Sequence, residues 1–341
     1  MSAPSLSPAT WWSHVEPAGE RFFYRRDDAD DPRLGEIVRR RAGGAVEFAS
    51  GQPILLGFAC DEGVRRNGGR PGAALAPDAI RRQLYRFTTW DPPCPEANSG
   101  VELARLSLLD LGNVRFVSDL EATQEHLGAA VGAALQAGAI PVVLGGGHET
   151  AYGHYLGYAA AGVRCAILNI DAHVDVRAYP RGGHSGSPFR QAMDYLPHPL
   201  PHGGYVVVGA QRQSVSRAHW QRVIQHGGRI HWADEIDSEV GFVHRVSDEL
   251  SRLADGFEAI LVTVDADAFR QADVPGVSAP NPLGLDGRLW PVLARAAGRT
   301  RAVRSLELVE VNPTFDRDEQ SVRWAAVGIR QLLASLALRP S

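Results

Sequence analysis

Eight short apolar runs, each closing on small or acidic residues and followed by a longer Ala-, Leu- and Arg-bearing stretch, constrain this chain more than any other feature. They are PILLGF (53–58), LSLLDLG (106–112), IPVVLGGG (140–147), CAILNID (165–171), YVVVGA (205–210), RIHWAD (229–234), AILVTVD (259–265) and SLELVEV (305–311). Helical candidates lie between and beyond them at 76–85, 120–137, 150–161, 216–226, 240–253, 287–297 and 320–336. Parallel strands covered on both faces read as continuous apolar runs, and their connections need a helix-length crossover. The pattern predicts an α/β fold, three α-β-α layers around a mostly parallel eight-stranded sheet. No repeat or low-complexity linker divides it, so residues 46–341 read as a single α/β domain. Residues 1–45, rich in Pro, Asp and Arg, read as an N-terminal arm or subunit-contact region outside the core.

The stretch from Leu127 to Gly147 carries no formal charge and needs testing as a membrane span. Gln136 and Pro141 interrupt it and its halves differ in composition, so a buried helix followed by a buried strand is expected. All 35 residues counted as Lys+Arg are Arg, and the chain contains no Lys. That excludes Schiff-base lysine chemistry and phosphate-loop lysines. A net charge of −4 leaves no basic excess for nucleic acid or an anionic membrane, so neither is expected as a partner. Cys60, Cys94 and Cys165 share no metal or redox spacing, and the N-terminus lacks the apolar run of a signal peptide; a cytoplasmic location is expected.

In parallel sheets ligands bind outside the carboxyl ends of the strands. Four such ends carry polar residues: GGGHE (145–149), DAHVD (171–175), DAD (265–267) and ELVEVNP (307–313). In an extended segment alternate side chains share a face, so Asp171, His173 and Asp175 are expected to converge, as are Asp265 and Asp267. The glycines before His148 allow close backbone approach or unusual φ, letting its imidazole close the cluster. Two His and four carboxylates without sulfur suit Mn²⁺, with Fe²⁺, Co²⁺ or Ni²⁺ left open. Four negative charges match two divalent ions. The other histidines, His154 among them, read as surface or ordinary core residues.

On these motifs the chain resembles the ureohydrolase family of arginase, agmatinase and formimidoylglutamase, over roughly 52–336. The resemblance implies that His148, Asp171, His173, Asp175, Asp265 and Asp267 hold two Mn²⁺ per subunit, that Glu310 grips a cationic amidine or guanidine, and that the protein is a homo-oligomer. Among the branches it looks most like formimidoylglutamase, through CDEGVRRNGGRPGA (60–73), DAHVDVR (171–177), HSGSPFRQ (184–191) and PGVSAP (275–280). It departs from the arginase and agmatinase pattern in two places. Arg270-Gln271 stand where an Asp-Pro pair is usual, and Ser185 rather than a His precedes Gly186, with His184 one residue earlier. His184 is thereby a candidate proton carrier, with a loop histidine as its other reading.

The reaction expected is hydrolysis of N-formimidoyl-L-glutamate to L-glutamate and formamide by a hydroxide bridging the two ions, as in histidine degradation, with Asp267 passing a proton to the leaving amine. In that substrate the α-carboxylate lies two bonds from the reacting nitrogen, where an arginine could grip it in a bidentate way. Arg177, two residues past Asp175, is the first candidate; Arg65 and Arg66 are candidates for the second carboxylate. A hydrolase of another guanidino or formimidoyl acid, and a non-catalytic metal-binding protein of the same fold, are the alternatives.

Overall fold

A computed structural model describes residues 8–93, 100–117, 119–236 and 238–339; Cys94 lies outside them. The strands are β1 (Val15–Glu16), β2 (Arg39–Arg40), β3 (Pro53–Phe58), β4 (Trp90–Asp91), β5 (Val101–Glu102), β6 (Leu109–Val114), β7 (Ile140–Leu144), β8 (Cys165–Ile170), β9 (Tyr205–Ala210), β10 (Arg229–Trp232), β11 (Ala259–Asp265) and β12 (Val303–Val309). The helices are α1 (Leu34–Ile37), α2 (Glu62–Arg66), α3 (Ala76–Leu84), α4 (Leu120–Gln136), α5 (Thr150–Ala161), α6 (Pro188–Asp194), α7 (Arg217–Gln225), α8 (Glu239–Gly256), α9 (Leu289–Arg299) and α10 (Gln320–Leu336).

All eight expected strands are present, and all lie in one sheet of order β1-β6-β3-β7-β12-β11-β8-β9-β10, with β2 also paired to β6. Every pairing in it is parallel except β1 with β6. The sheet has ten strands rather than eight because β1 and β2 join it at β6. At two residues each, they are too short to show any periodicity in the sequence.

Alternate residues of the strands feed two separate cores, as a pleated sheet requires. Val142, Leu144, Leu168 and Val262 pack with α3, α8, α9 and α10 on one face. Val143, Ile167, Val207 and Leu261 pack with α4, α5, α6 and α7 on the other. This is the three-layer arrangement the strand pattern called for. Helices α4, α7 and α8 start where Asp119, Ser216 and Ser238 accept hydrogen bonds from the backbone N–H of Ala122, His219 and Gly241. Close packing of α4 on α5 depends on glycine, since a Cβ on Gly157 would meet Val131 Cγ1 at 2.4 Å. The charge-free stretch is helix α4 running into strand β7, as expected, and no helix among the described residues is long and apolar enough to cross a membrane.

Within residues 8–45, several side chains reach into the two cores. Trp11 and Val15 are buried with the α4 and α5 face, and Phe22, Leu34 and Val38 with the α3 and α10 face. Low apolar content hid this, because a few well-spaced anchors suffice when backbone pairing to β6 holds the segment in place. A buried guanidinium braces the same edge: Arg81 on α3 donates to both oxygens of Asp110 on β6, at 2.8 and 3.0 Å, and both residues are fully buried.

Candidate metal centre

The four polar strand ends belong to β7, β12, β11 and β8, which are consecutive in the sheet although His148 and Glu310 are 162 positions apart in the chain. Sheet order therefore brings His148, Glu310, Asp265 and Asp171 to one place. The local geometry is not that of extended alternation, however. Strand β8 ends at Ile170 and β11 at Asp265, so His173 and Asp175 lie in a loop and Asp267 in a single 3₁₀ turn, Ala266–Ala268. Asp175 has φ +39°, a left-handed value that turns its carboxylate back towards His148. Two backbone hydrogen bonds set the turns: His173 N donates to Asp171 Oδ1 (2.7 Å) and Asp267 N to Asp265 Oδ1 (2.8 Å).

The side chains form two groups. His148 Nδ1 lies 3.3 Å from Asp171 Oδ2 and 3.0 Å from both Asp175 Oδ2 and Asp265 Oδ2. His173 Nδ1 lies 3.4 Å from both Asp171 Oδ1 and Asp267 Oδ2. Asp171 thus gives one oxygen to each group. The arrangement is a binuclear metal-binding site made of the expected residues.

The donor set fits cations better than any pattern of protons. One N–H cannot satisfy three carboxylates, and His148 Nδ1 is a buried atom without a hydrogen bond in proper geometry, as is Asp267 Oδ1. Burial, then the charges of Asp267 and Asp171, push the Asp265 carboxyl well above its ordinary range, while against burial the imidazoles of His148 and His173 hold Asp171 below its own. Burial would lower His148, but its three carboxylate neighbours hold it well above the usual histidine range. A buried cluster this acidic is relieved by divalent ions, and its oxygen-rich, sulfur-free character suits Mn²⁺-like metals. His148 is 1% exposed and His173 26%, so the second group forms the open side of the site.

Supporting residues hold the donors in place. His148 Nε2 lies 3.0 Å from Thr263 Oγ1, and Phe189 packs edge-on against the imidazole. Asn169 Nδ2 donates to Asp171 Oδ2 at 3.0 Å. Such outer contacts orient ligands and fix the imidazole tautomer. The sequence reading missed Thr263 and Asn169; the available signal was a polar residue inside an otherwise apolar strand. The three glycines before His148 serve close approach rather than unusual φ: a Cβ on Gly146 would sit 1.8 Å from Cys60 O. Glu149 Oε1 accepts from Gly63 N at 2.7 Å, and burial pushes its carboxyl up to about 8. Burial likewise pushes the Cys60 thiol up to about 12, which keeps it protonated at neutral pH.

Glu310 is 5% exposed with φ +63°; its Oε1 accepts from His148 N at 2.8 Å, and burial followed by Asp265 pushes its carboxyl well above the ordinary range. Arg177 stands at an exposed lip, donating from Nη1 to Asn67 Oδ1 (3.2 Å), while Asn67 Nδ2 donates to Ser185 Oγ (3.1 Å). His219 on α7 feels both Arg177 and Asp175, though burial is the main cause of its lowered pKa. Asn67 lies within the 60–73 motif without having been singled out, and no motif marks His219.

Arg66 pairs with Glu62 (3.0 Å) and Glu121 (2.7 Å), and the exposed Arg65 pairs with Glu62. Helical spacing on α2 places both within reach of Glu62, which a reading of the pair alone overlooked. His184 has both ring nitrogens engaged within its own loop, Nδ1 accepting from Gly186 N (3.2 Å) and Nε2 facing Ala178 O (3.2 Å).

A family model described as the arginase family matches residues 52–334. The chain is 38% identical over 276 residues to a formimidoylglutamase of Geobacillus thermodenitrificans, covering 80% of each chain. It is 36% identical over 320 residues to a formimidoylglutamase of Citrobacter koseri, covering 91% of this chain and 95% of that one. Among solved structures it resembles Trypanosoma cruzi formiminoglutamase with Mn²⁺ (TM-score 0.77, 30% identity, 91% of this chain and 100% of that one). It also resembles formimidoylglutamase from Bacillus subtilis (TM-score 0.82, 25% identity, 93% and 96%).

Proposed function

The chain belongs to the arginase family, hydrolases of formimidoyl and guanidino compounds, and on that premise we propose that it is a formimidoylglutamase, converting N-formimidoyl-L-glutamate and water to L-glutamate and formamide. The observation that carries the reading is the sharing of Asp171 between two ligand groups, with a buried Glu310 behind them and an arginine on the lip. His148, Asp171, Asp175 and Asp265 would hold one Mn²⁺, and Asp171, His173 and Asp267, with Asp265 close by, the second. Two such ions, when bound, supply Lewis-acid polarisation and lower the pKa of bound water.

The chain's own residues supply the rest. Glu310 presents a carboxylate to the substrate's amidinium, whose N–H groups match it in charge and direction. Asp267 Oδ1, buried and without a partner, is placed to hold a proton and deliver it to the departing α-amine, which must gain one as the C–N bond breaks. On this reading Arg177 takes the α-carboxylate, two bonds from that nitrogen, with its guanidinium matched to both oxygens. Arginine carries its carboxylate far from the reacting carbon, and agmatine has none, so the same lip selects against both. Whole-chain similarity to formimidoylglutamases supports this choice of substrate. We propose a homo-oligomer as the working form.

The test is product identification. Mn²⁺-loaded protein is incubated separately with formimidoylglutamate, arginine, agmatine and guanidinobutyrate; formamide and glutamate from the first are expected. Urea from any of the other three, with formimidoylglutamate untouched, refutes the assignment in favour of a guanidino-acid hydrolase.

A further inference from the structure

A cavity of about 710 Å³ lies not over the metal centre but in a groove between α4 and α5, closed at one end by Tyr179, Gly182, Gly183, Tyr195, Pro197 and His198. Its wall is the far end of the segment that begins at Asp171. Glu121, at the start of α4, accepts from Gly183 N (3.2 Å) and pairs with Arg66, which in turn donates to Gly183 O (3.1 Å).

Small residues line the helical floor, and at the closed end stand three tyrosines and a carboxylate. The Tyr152 and Tyr195 rings meet at 79° with centroids 6.3 Å apart, forming two perpendicular walls. Tyr179 is fixed beside them, its hydroxyl donating to Asp194 Oδ2 at 3.4 Å. Tyr152, Tyr179, Tyr195 and Glu125 all line this one groove. Glu125 is half-buried and has no ion-pair partner among the described residues. The nearby arginines are engaged elsewhere, Arg66 by Glu121, and Arg190 and Arg222 by Asp194 (3.5 and 2.9 Å).

Perpendicular aromatic faces with an unmatched carboxylate are the recognition elements of an organic cation that is too diffuse in charge to be well hydrated. A neutral apolar ligand would leave Glu125 uncompensated, and a bare metal ion would gain little from tyrosine faces. We propose that this groove binds a small quaternary or N-methylated ammonium compound, its head between Tyr152 and Tyr195 and its charge matched by Glu125. The site is separate from the metal centre and uses none of its ligands.

The probes are choline and its neutral isostere 3,3-dimethyl-1-butanol, titrated calorimetrically at fixed ionic strength into the full-length protein. Choline should bind about 10-fold or more tightly than the neutral probe. Glu125→Gln, which keeps the shape, should remove most of that preference, and Tyr195→Leu should weaken choline binding while circular dichroism stays unchanged. Equal binding of the two probes, or no choline binding up to about 10 mM, overturns the proposal. So does choline binding that Glu125→Gln leaves unaltered, which would place the ligand at another site. An assembly that dissociates in Glu125→Arg, with no choline bound by the wild type, assigns the groove to a second copy of the chain instead.

Discussion

Glu310 holds the backbone of His148: its Oε1 accepts from His148 N at 2.8 Å, while its own N–H donates to Gly146 O at the same distance. Strand end β12 is thereby clamped to strand end β7, and the clamp requires a left-handed backbone at Glu310. A residue with that φ costs conformational energy and persists where its surroundings demand it.

Glu310→Gln should separate the clamp from the charge. The amide oxygen still accepts from His148 N, so metal content should stay near that of the wild type. Loss of the carboxylate facing an amidinium should cost about 2–3 kcal/mol, or roughly 30- to 160-fold in kcat/KM. Metal analysis and steady-state kinetics check both halves; a variant with full activity removes Glu310 from substrate binding.

Asp171 serves both ligand groups and His173 only one. Asp171→Ala should therefore empty the centre, whereas His173→Ala should lower the metal stoichiometry from about two to about one per chain. The two variants, loaded in parallel and analysed by plasma mass spectrometry after gel filtration, give the comparison. Chelation of the wild type should also lower its Tm, because four carboxylates are then left crowded together, and Mn²⁺ should restore it in a concentration-dependent way.

Arg177 reaches the lip through a segment that leaves the strand and reverses at Asp175, with its guanidinium resting on Asn67. Arg177→Lys loses the bidentate fork and should raise KM for formimidoylglutamate roughly 10-fold, with metal content unchanged. Asn67→Ala should give a smaller rise, since it removes only the rest. Unchanged KM in Arg177→Lys places the α-carboxylate elsewhere.

The parts of this site that were legible in the sequence are those that strand order alone determines. Apolar runs fix β7, β8, β11 and β12, each ends in a donor, and a parallel sheet leaves one edge for all four. Asp175 shows the limit: it was read as converging by extension, but it converges through a left-handed turn, which no periodicity reveals. Arg66 shows another, because its partner Glu121 comes from a distant element that sequence spacing does not place beside it. Trp11 and Val15 show a third, since a two-residue strand gains its place from its partner on β6 rather than from its own pattern.

Near Trp11, His14 stacks on His126 of α4 with ring centroids 3.6 Å apart and planes 11° from parallel. Burial, and then the charge of His14, lower the pKa of His126, with Asp119 opposing them; its buried Nδ1 has no hydrogen-bond partner. A histidine whose folded pKa lies below its unfolded value leaves stability intact above the unfolded pKa, near 6.5. Stability is lost as pH falls from there, because the unfolded chain then binds protons that the folded one resists. The N-terminal segment should therefore loosen between pH 7 and pH 5. The measurement is thermal unfolding of metal-free wild type and His126→Gln at pH 7.5 and 5.5, so that titration of the carboxylate cluster is common to both. The wild type should lose more Tm across that interval than the variant; equal losses would show that His126 does not titrate with folding.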